Sequence, residues 1–310
     1  MTMEKKMIKP KDAVRRAFEN NVVIPAFNVP YLPMVKPVIE AIVDENSVAM
    51  IQVARVEWEK FESVSLEAVA NEYEKHKNDS HTMLHLDHVP VIDEDFQTVD
   101  FLPIIKRALA AGYQSVMVDG SRLGLDENIH ATRQVAELVH ESGIPCEAEL
   151  GSVMGHEAVP IMSYEEIIRT KTGFTQEAEA EIFAKESMCD WLSVAVGNIH
   201  GAVAEATRHL KKAEAHLDIG HIEALRKATN MPLVLHGGSG VSVDSFAKSV
   251  KAGIAKINVG TEIRQAYEQA FESSGSVEEA QEAVYKRTRE LITGFLSVKN
   301  TRSLLFPEGN

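Results

Sequence analysis

The feature that most limits what this chain can fold into is a recurring unit, a short apolar run followed by apolar residues at helical spacing. Runs at 22–28, 48–54, 82–88, 115–120, 145–150, 191–197, 232–237 and 255–261 read as strands. Helices are expected at Asp12 to Asn20 and then between strands, among them Met34 to Asn46, Leu66 to Lys75, Val99 to Ala111 and Glu177 to Glu186. Another begins at a cap on Asp126 or Asn128 and runs to Glu141. The last intervening helices are expected at His221 to Thr229 and Asp244 to Ala252. Arg55 to Lys60 reads as a charged loop, and 151–176 as a long segment in which Ser163 with Glu166 reads as the capping box of a short helix.

Strands alternating with helices imply parallel pairing and right-handed crossovers. Eight of them in 310 residues match a (β/α)8 TIM barrel. The alternative, an open doubly wound sheet, is weakened because no Gly-x-Gly-x-x-Gly follows the first strand. No linker rich in Pro, Gly or Ser divides the chain, so residues 1–310 are expected to form one catalytic domain. Helices at Glu262 to Phe271 and Val277 to Leu291 add a C-terminal extension, and Leu296 to Asn310 is expected to pack on the surface as a tail.

A formal net charge of −14 argues against a nucleic-acid surface but leaves room for a phosphorylated small molecule, which a few backbone amides can bind. No run is long enough to span a bilayer, and no apolar segment follows the N-terminal lysines, so no membrane partner and a cytoplasmic location are expected. Cys146 and Cys189 lie near apolar runs and read as core thiols.

The chemistry gathers where strands end, at the carboxyl side of the expected barrel. Thr82-Met83-Leu84-His85-Leu86-Asp87-His88 is the most informative run. His88, His200 and His236 each close an apolar run, and three protein ligands with an open position suit a catalytic divalent metal. Asp87 is the candidate general acid/base, although consecutive strand residues ordinarily face opposite ways, so Asp87 and His88 share a site only if the strand has ended and the chain is turning. Asp119, Glu147 and Glu149 are further carboxylates at the same end, suited to a second ion position or to orienting the histidines. Glu157, on the long loop, is a candidate mobile acid/base. Asn28 ends the first strand as a polar group. Trp58 and Trp191 read as packing residues, and His85 as a core or supporting residue.

Two glycine-bearing turns are candidate anion sites: Gly237-Gly238-Ser239-Gly240, leading toward a helix start, and Asn258-Val259-Gly260-Thr261 before another. Strands seven and eight of such barrels often hold a phosphate together, and Gly201 is placed to close the same pocket. A metal beside a phosphate site and a carboxylate suits enediolate chemistry on a phosphorylated ketone. Isomerisation, epimerisation and retro-aldol cleavage all fit, and spacing does not choose among them.

These motifs, with Val118-Asp119-Gly120-Ser121, Glu147-Ala148-Glu149-Leu150-Gly151 and Asn198-Ile199-His200-Gly201, resemble the zinc-dependent class II fructose-bisphosphate aldolase family, which includes tagatose-bisphosphate aldolases. The likeness runs from about Asp12 to Leu291. It implies a TIM barrel that reversibly cleaves a ketose 1-phosphate or 1,6-bisphosphate to dihydroxyacetone phosphate and an aldehyde, with zinc stabilising the enediolate. By this resemblance His88, His200 and His236 are the zinc ligands, Asp87 handles the C4 hydroxyl proton, and Glu157 the proton at C3. Asp119 and Glu149 hold the metal site or an alternative ion position. Asn28, Gly201, Gly237, Gly238, Ser239, Asn258, Gly260 and Thr261 bind the substrate and its 1-phosphate. The resemblance also implies a homodimer or homotetramer and a monovalent cation, Na+ or K+. The chain departs from the family after strand six, where Gly201-Ala202-Val203-Ala204-Glu205 lacks the usual tyrosine and lysine. A sugar-phosphate isomerase or epimerase, or an aldolase-like barrel without catalysis, are the competing readings.

Overall fold

A computed structural model describes residues 7–151, 164–198, 215–238 and 240–307. Eight strands close into a parallel barrel in the order β1-β2-β3-β4-β5-β6-β7-β8. They are β1 (Ile24–Asn28), β2 (Ala49–Ala54), β3 (Thr82–Pro90), β4 (Ser115–Asp119), β5 (Cys146–Leu150), β6 (Trp191–Val194), β7 (Leu233–Leu235) and β8 (Ile254–Val259). The ring shuts where Ala26 of β1 pairs with Asn258 of β8. This is the (β/α)8 TIM barrel expected from the repeat, and the open-sheet alternative falls.

Each strand alternates two populations, because successive side chains leave opposite faces. The outward set is apolar: Phe27, Ile51, Val53, Leu84, Leu86, Val116, Val118, Leu192 and Ile257 belong to one buried cluster with the surrounding helices. These include α2 (Val35–Asp44), α4 (Leu66–His76), α5 (Phe101–Ala111), α6 (Leu125–His140), α8 (Glu177–Glu186), α9 (Ile219–Thr229) and α10 (Val243–Ala252). The inward set is split. Toward the amino ends, Ile24, Ala26, Met50, Met83, Trp191 and Val234 form an apolar floor together with Ala13, Val14 and Ala17 of α1 (Pro10–Asn20). Toward the carboxyl ends the inward residues turn polar, and there the candidate site lies.

Several local expectations are corrected. Arg55–Lys60 is a helix, α3, rather than a loop. Its third residue, Glu57, reaches back to accept from the Ala54 amide at 2.7 Å, which satisfies a donor at the helix start. Neither Asp126 nor Asn128 caps α6; Gly124 occupies that position, and Asn128 is buried, donating to the Glu149 carbonyl at 2.9 Å. Within 151–176, the short helix expected after Ser163 is present as α7 (Tyr164–Thr170). β3 runs on to Pro90, whereas β6 stops at Val194 and β7 at Leu235. At the C-terminus α11 (Thr261–Ser274) packs on α12 (Val277–Thr293), and the tail carries a further helix, α13 (Thr301–Leu305), whose Thr301 and Leu305 are buried.

Candidate active site

The carboxyl end of β3 carries an irregularity that decides the site. Leu86 pairs with Val116, but Val89 pairs with Val118, so β3 holds one extra residue against β4. His88 absorbs the bulge with φ at +27°, a conformation uncommon for a residue with a Cβ. The strand has not ended, contrary to the condition set from sequence. The bulge brings ligand-type atoms of Asp87 and His88 into one group with His236, all within 4.8 Å.

Asp87 is 2 % exposed and gripped by three carboxamides. Its Oδ2 accepts from Asn28 Nδ2 at 2.9 Å and from Gln52 Nε2 at 3.1 Å, and its Oδ1 from Asn258 Nδ2 at 2.9 Å. Burial works against its charge, but the imidazole of His88 and the Lys256 ammonium outweigh burial and hold its pKa below the usual carboxylate range. Asp87 is therefore an ionised acceptor at neutral pH.

The rings of His88 and His236 meet edge to face with centroids 4.6 Å apart. Asp119 Oδ2 lies 3.1 Å from His88 Nδ1, and Glu149 Oε2 lies 3.0 Å from His236 Nδ1. The other face of His236, Nε2, lies 3.0 Å from Glu147 Oε1. Burial opposes a proton on either ring, yet the facing carboxylates (Asp87 and Asp119 for His88, Glu147 and Glu149 for His236) raise both above their ordinary value. Asp119 is correspondingly lowered, against burial, by its hydrogen bond to His88. Imidazoles backed by carboxylates are the donor set of a divalent metal centre, so these residues fit a metal. His88, Asp119 and Glu149 form a second compact group, which places both expected alternative-ion acids beside the first.

Beneath this layer sits a buried ion pair that was not singled out from sequence. Lys256 Nζ lies 2.9 Å from Glu147 Oε2 and donates to Asn258 Oδ1 at 2.6 Å. Since β5 and β8 are not neighbours, the pair crosses the barrel lumen. Trp191 also does more than pack, donating from Nε1 to Glu147 Oε2 at 2.6 Å. Burial opposes the charge on Glu147, but Lys256 and His236 lower its pKa. His85, next to Ser115 Oγ at 2.8 Å, is pushed down to about 3 by burial and by the Lys256 charge, and stays neutral.

Gln52, Glu57 and Lys256 are buried polar residues that the reading of strand ends passed over. Their signal was parity. Gln52 lies between Ile51 and Val53, and Lys256 two residues before Asn258, each on the inward face of a strand whose other face is apolar. Glu57 had no such signal, because it lies beyond the strand in α3.

The two expected anion turns differ. Gly260 directly precedes α11, whose first residue is Thr261; both are partly buried. A Cβ on Gly260 would stand 3.3 Å from the Asn28 Cβ, so the glycine lets β8 and β1 close around the site. Gly237 takes φ at +63°, and Gly238 is buried. That turn does not start a helix, as α10 begins at Val243 and is capped by Ser242 Oγ accepting from the Ser245 amide at 3.3 Å. Any anion there would meet turn amides rather than a helix end. Glu157, His200, Gly201, Glu205 and Ser239 lie outside the described residues. No described helix is long and apolar enough to cross a membrane.

Comparison with known proteins agrees with this geometry. A sequence model of "Fructose-bisphosphate aldolase class-II" matches residues 8–300. Among solved structures, the YdjI aldolase from Escherichia coli K12 is similar at 26 % identity and a TM-score of 0.75, over 94 % of this chain and 98 % of that one. A protein from Coccidioides immitis, provisionally described as a fructose-1,6-biphosphate aldolase, is similar at 25 % identity and a TM-score of 0.75, over 96 % and 98 %. Fructose-bisphosphate aldolase from Campylobacter jejuni shares the fold at 18 % identity, with a TM-score of 0.71 over 96 % and 97 %. With its matched span covering the whole barrel, this chain belongs to the class II fructose-bisphosphate aldolase family.

Proposed function

We propose that the chain catalyses reversible retro-aldol cleavage of a ketose 1-phosphate, or of a ketose 1,6-bisphosphate of the fructose or tagatose type, to dihydroxyacetone phosphate and an aldehyde. The observation that carries this reading is Asp87, ionised and held by three amides beside two carboxylate-backed histidines. Asp87 takes the proton of the C4 hydroxyl. The C3–C4 bond then breaks, its electron pair moves toward the C2 carbonyl, the C4 fragment leaves as the aldehyde, and a proton delivered to C3 completes dihydroxyacetone phosphate.

His88 and His236, with His200, are the residues we assign to zinc, and Asp119 and Glu149 to orienting them. When bound, the metal supplies Lewis-acid polarisation of the substrate carbonyl. The Gly237–Gly238 turn, Gly260 and Thr261 are assigned to the 1-phosphate, and Asn28 and Asn258 to the substrate hydroxyls. A monovalent cation and a homodimer or homotetramer remain part of the proposal.

For the far end of the substrate we favour an uncharged group. Two arginines near the mouth are already spoken for. Arg55 is paired with Glu59 at 2.9 Å and Asp93 at 3.4 Å, and Arg264 with Glu268 at 2.7 Å. The test is a screen of phosphorylated ketoses for dihydroxyacetone phosphate release, with and without a chelator and with zinc restored. Chelator-sensitive release supports the reading, and no release from any ketose phosphate by the zinc-loaded protein defeats it.

A further inference from the structure

Glu57 is a buried carboxyl at the barrel mouth, 8 % exposed, on a helix that immediately follows β2. Its Oε2 is held from two sides. The Ala54 amide donates at 2.7 Å, and Asn28 Nδ2 donates at 3.3 Å. The same Asn28 nitrogen donates to Asp87 Oδ2 at 2.9 Å. A carboxamide nitrogen has two hydrogens, so Asn28 spends one on each acid and bridges them. Its oxygen is taken as well, accepting from Gln52 Nε2 at 2.7 Å. The amide therefore cannot turn over without breaking three bonds. With the Asn28 Cβ also close against Gly260, its orientation is determined on every side.

We propose that Glu57 is a positioning residue for the reaction at Asp87, acting through Asn28. The inference rests on the aldolase reading above. Glu57 anchors the far hydrogen of the Asn28 amide, so that the near one stays aimed at the carboxylate that moves the proton. The electrostatics agree with the geometry. Burial and the Asp87 charge raise the Glu57 pKa to about 8, against the Ala54 and Asn28 hydrogen bonds, while Asp87 is lowered. The two bridged acids thus divide their roles at neutral pH, Glu57 holding its proton and Asp87 ionised. Other titratable groups facing Glu57 are His88 from β3 and Tyr113 just ahead of β4; Arg55 on its own helix is turned to Glu59 and Asp93.

The experiment compares the zinc-loaded wild type with Glu57→Gln and Glu57→Leu, on whichever ketose phosphate the wild type cleaves. Glutamine keeps an acceptor oxygen for Asn28. It is expected to retain most of kcat. Leucine offers no acceptor and is expected to lower kcat on the order of tenfold, with KM and metal content little changed, the scale of losing an outer partner of a reacting group. Wild-type kcat in Glu57→Leu overturns the proposal, as does a loss of kcat in Glu57→Gln as large as that in Glu57→Leu. If the leucine variant fails to fold, Glu57→Ala takes its place in the same comparison. A wild type that cleaves no ketose phosphate defeats the aldolase reading and this inference with it, whereas an active wild type with indifferent variants defeats only the role of Glu57.

Discussion

Asp87 and His88 are consecutive residues of one strand, yet both contribute to the same cluster at the barrel mouth, because β3 bulges between Leu86 and Val89 and His88 takes φ at +27°. An unbroken strand would send one of the two into the helix layer. The bulge costs a conformation worth on the order of 1–3 kcal/mol, which the surrounding contacts sustain, and the gain is a carboxylate and an imidazole side by side at the mouth.

Asp87→Asn is expected to keep its metal and lose turnover. The substitution preserves shape, but an amide cannot take the substrate proton, and its NH2 must face either Asn258 or the Asn28 and Gln52 pair, donors that now grip the two carboxylate oxygens. The loss in kcat should be on the order of 10²-fold or more. Steady-state kinetics with metal analysis checks this, and activity within about twofold of wild type would exclude the role.

His236→Ala should empty most of the metal site while the barrel stays folded. One of the assigned ligands disappears, and the apolar floor of Ile24, Met50, Met83 and Val234 is untouched. Metal content of the folded variant is the measurement, and full occupancy at wild-type affinity would sink the assignment.

Metal affinity should weaken as pH falls. Facing carboxylates raise both His88 and His236 above their ordinary value of 6.5, so in the metal-free protein these rings keep a second proton to higher pH than a free imidazole does. Coordination needs a ring lone pair, and binding must therefore release protons. Calorimetry in buffers of different ionisation enthalpy reads the release directly; none at neutral pH would contradict the charge assignment.

Lys256→Met should destabilise the metal-free protein by about 3–5 kcal/mol, the range for breaking a buried pair by removing one partner. Both Lys256 and Glu147 are fully buried, and the carboxylate would be left in the lumen without its ammonium. The double variant with Glu147→Gln should recover part of the loss, since no orphaned charge remains. Denaturant unfolding of the four proteins tests this. A single variant within about 1 kcal/mol of wild type would show that Glu147 finds other compensation.

Matched substrates test the far end. With Arg55 and Arg264 already ion-paired, fructose 1-phosphate should be used about as well as fructose 1,6-bisphosphate, and the tagatose pair likewise. A preference for the bisphosphate of about 100-fold in kcat/KM corresponds to roughly 3 kcal/mol from the second phosphate and would overturn the one-phosphate preference.

By itself, the sequence determined the repeat of eight strands and helices, hence the barrel, because periodicity and apolar burial are local properties that survive without coordinates. It also determined which strand ends carry imidazoles and carboxylates, and Asp87, His88, Asp119, Glu149, His236 and Asn258 do converge at one mouth. Tertiary structure alone decided how they face one another. The bulge at His88 depends on register with β4, which no window of sequence contains. The Lys256–Glu147 pair joins strands on opposite sides of the ring, and charges 109 positions apart become partners only when closure brings them across the lumen. Glu57 reads as a solvated loop acid until α3 folds back over the mouth and burial changes its chemistry. A residue's type fixes which reactions it can join, but its ionisation and its partners depend on distance and dielectric, and those exist only once the chain has closed.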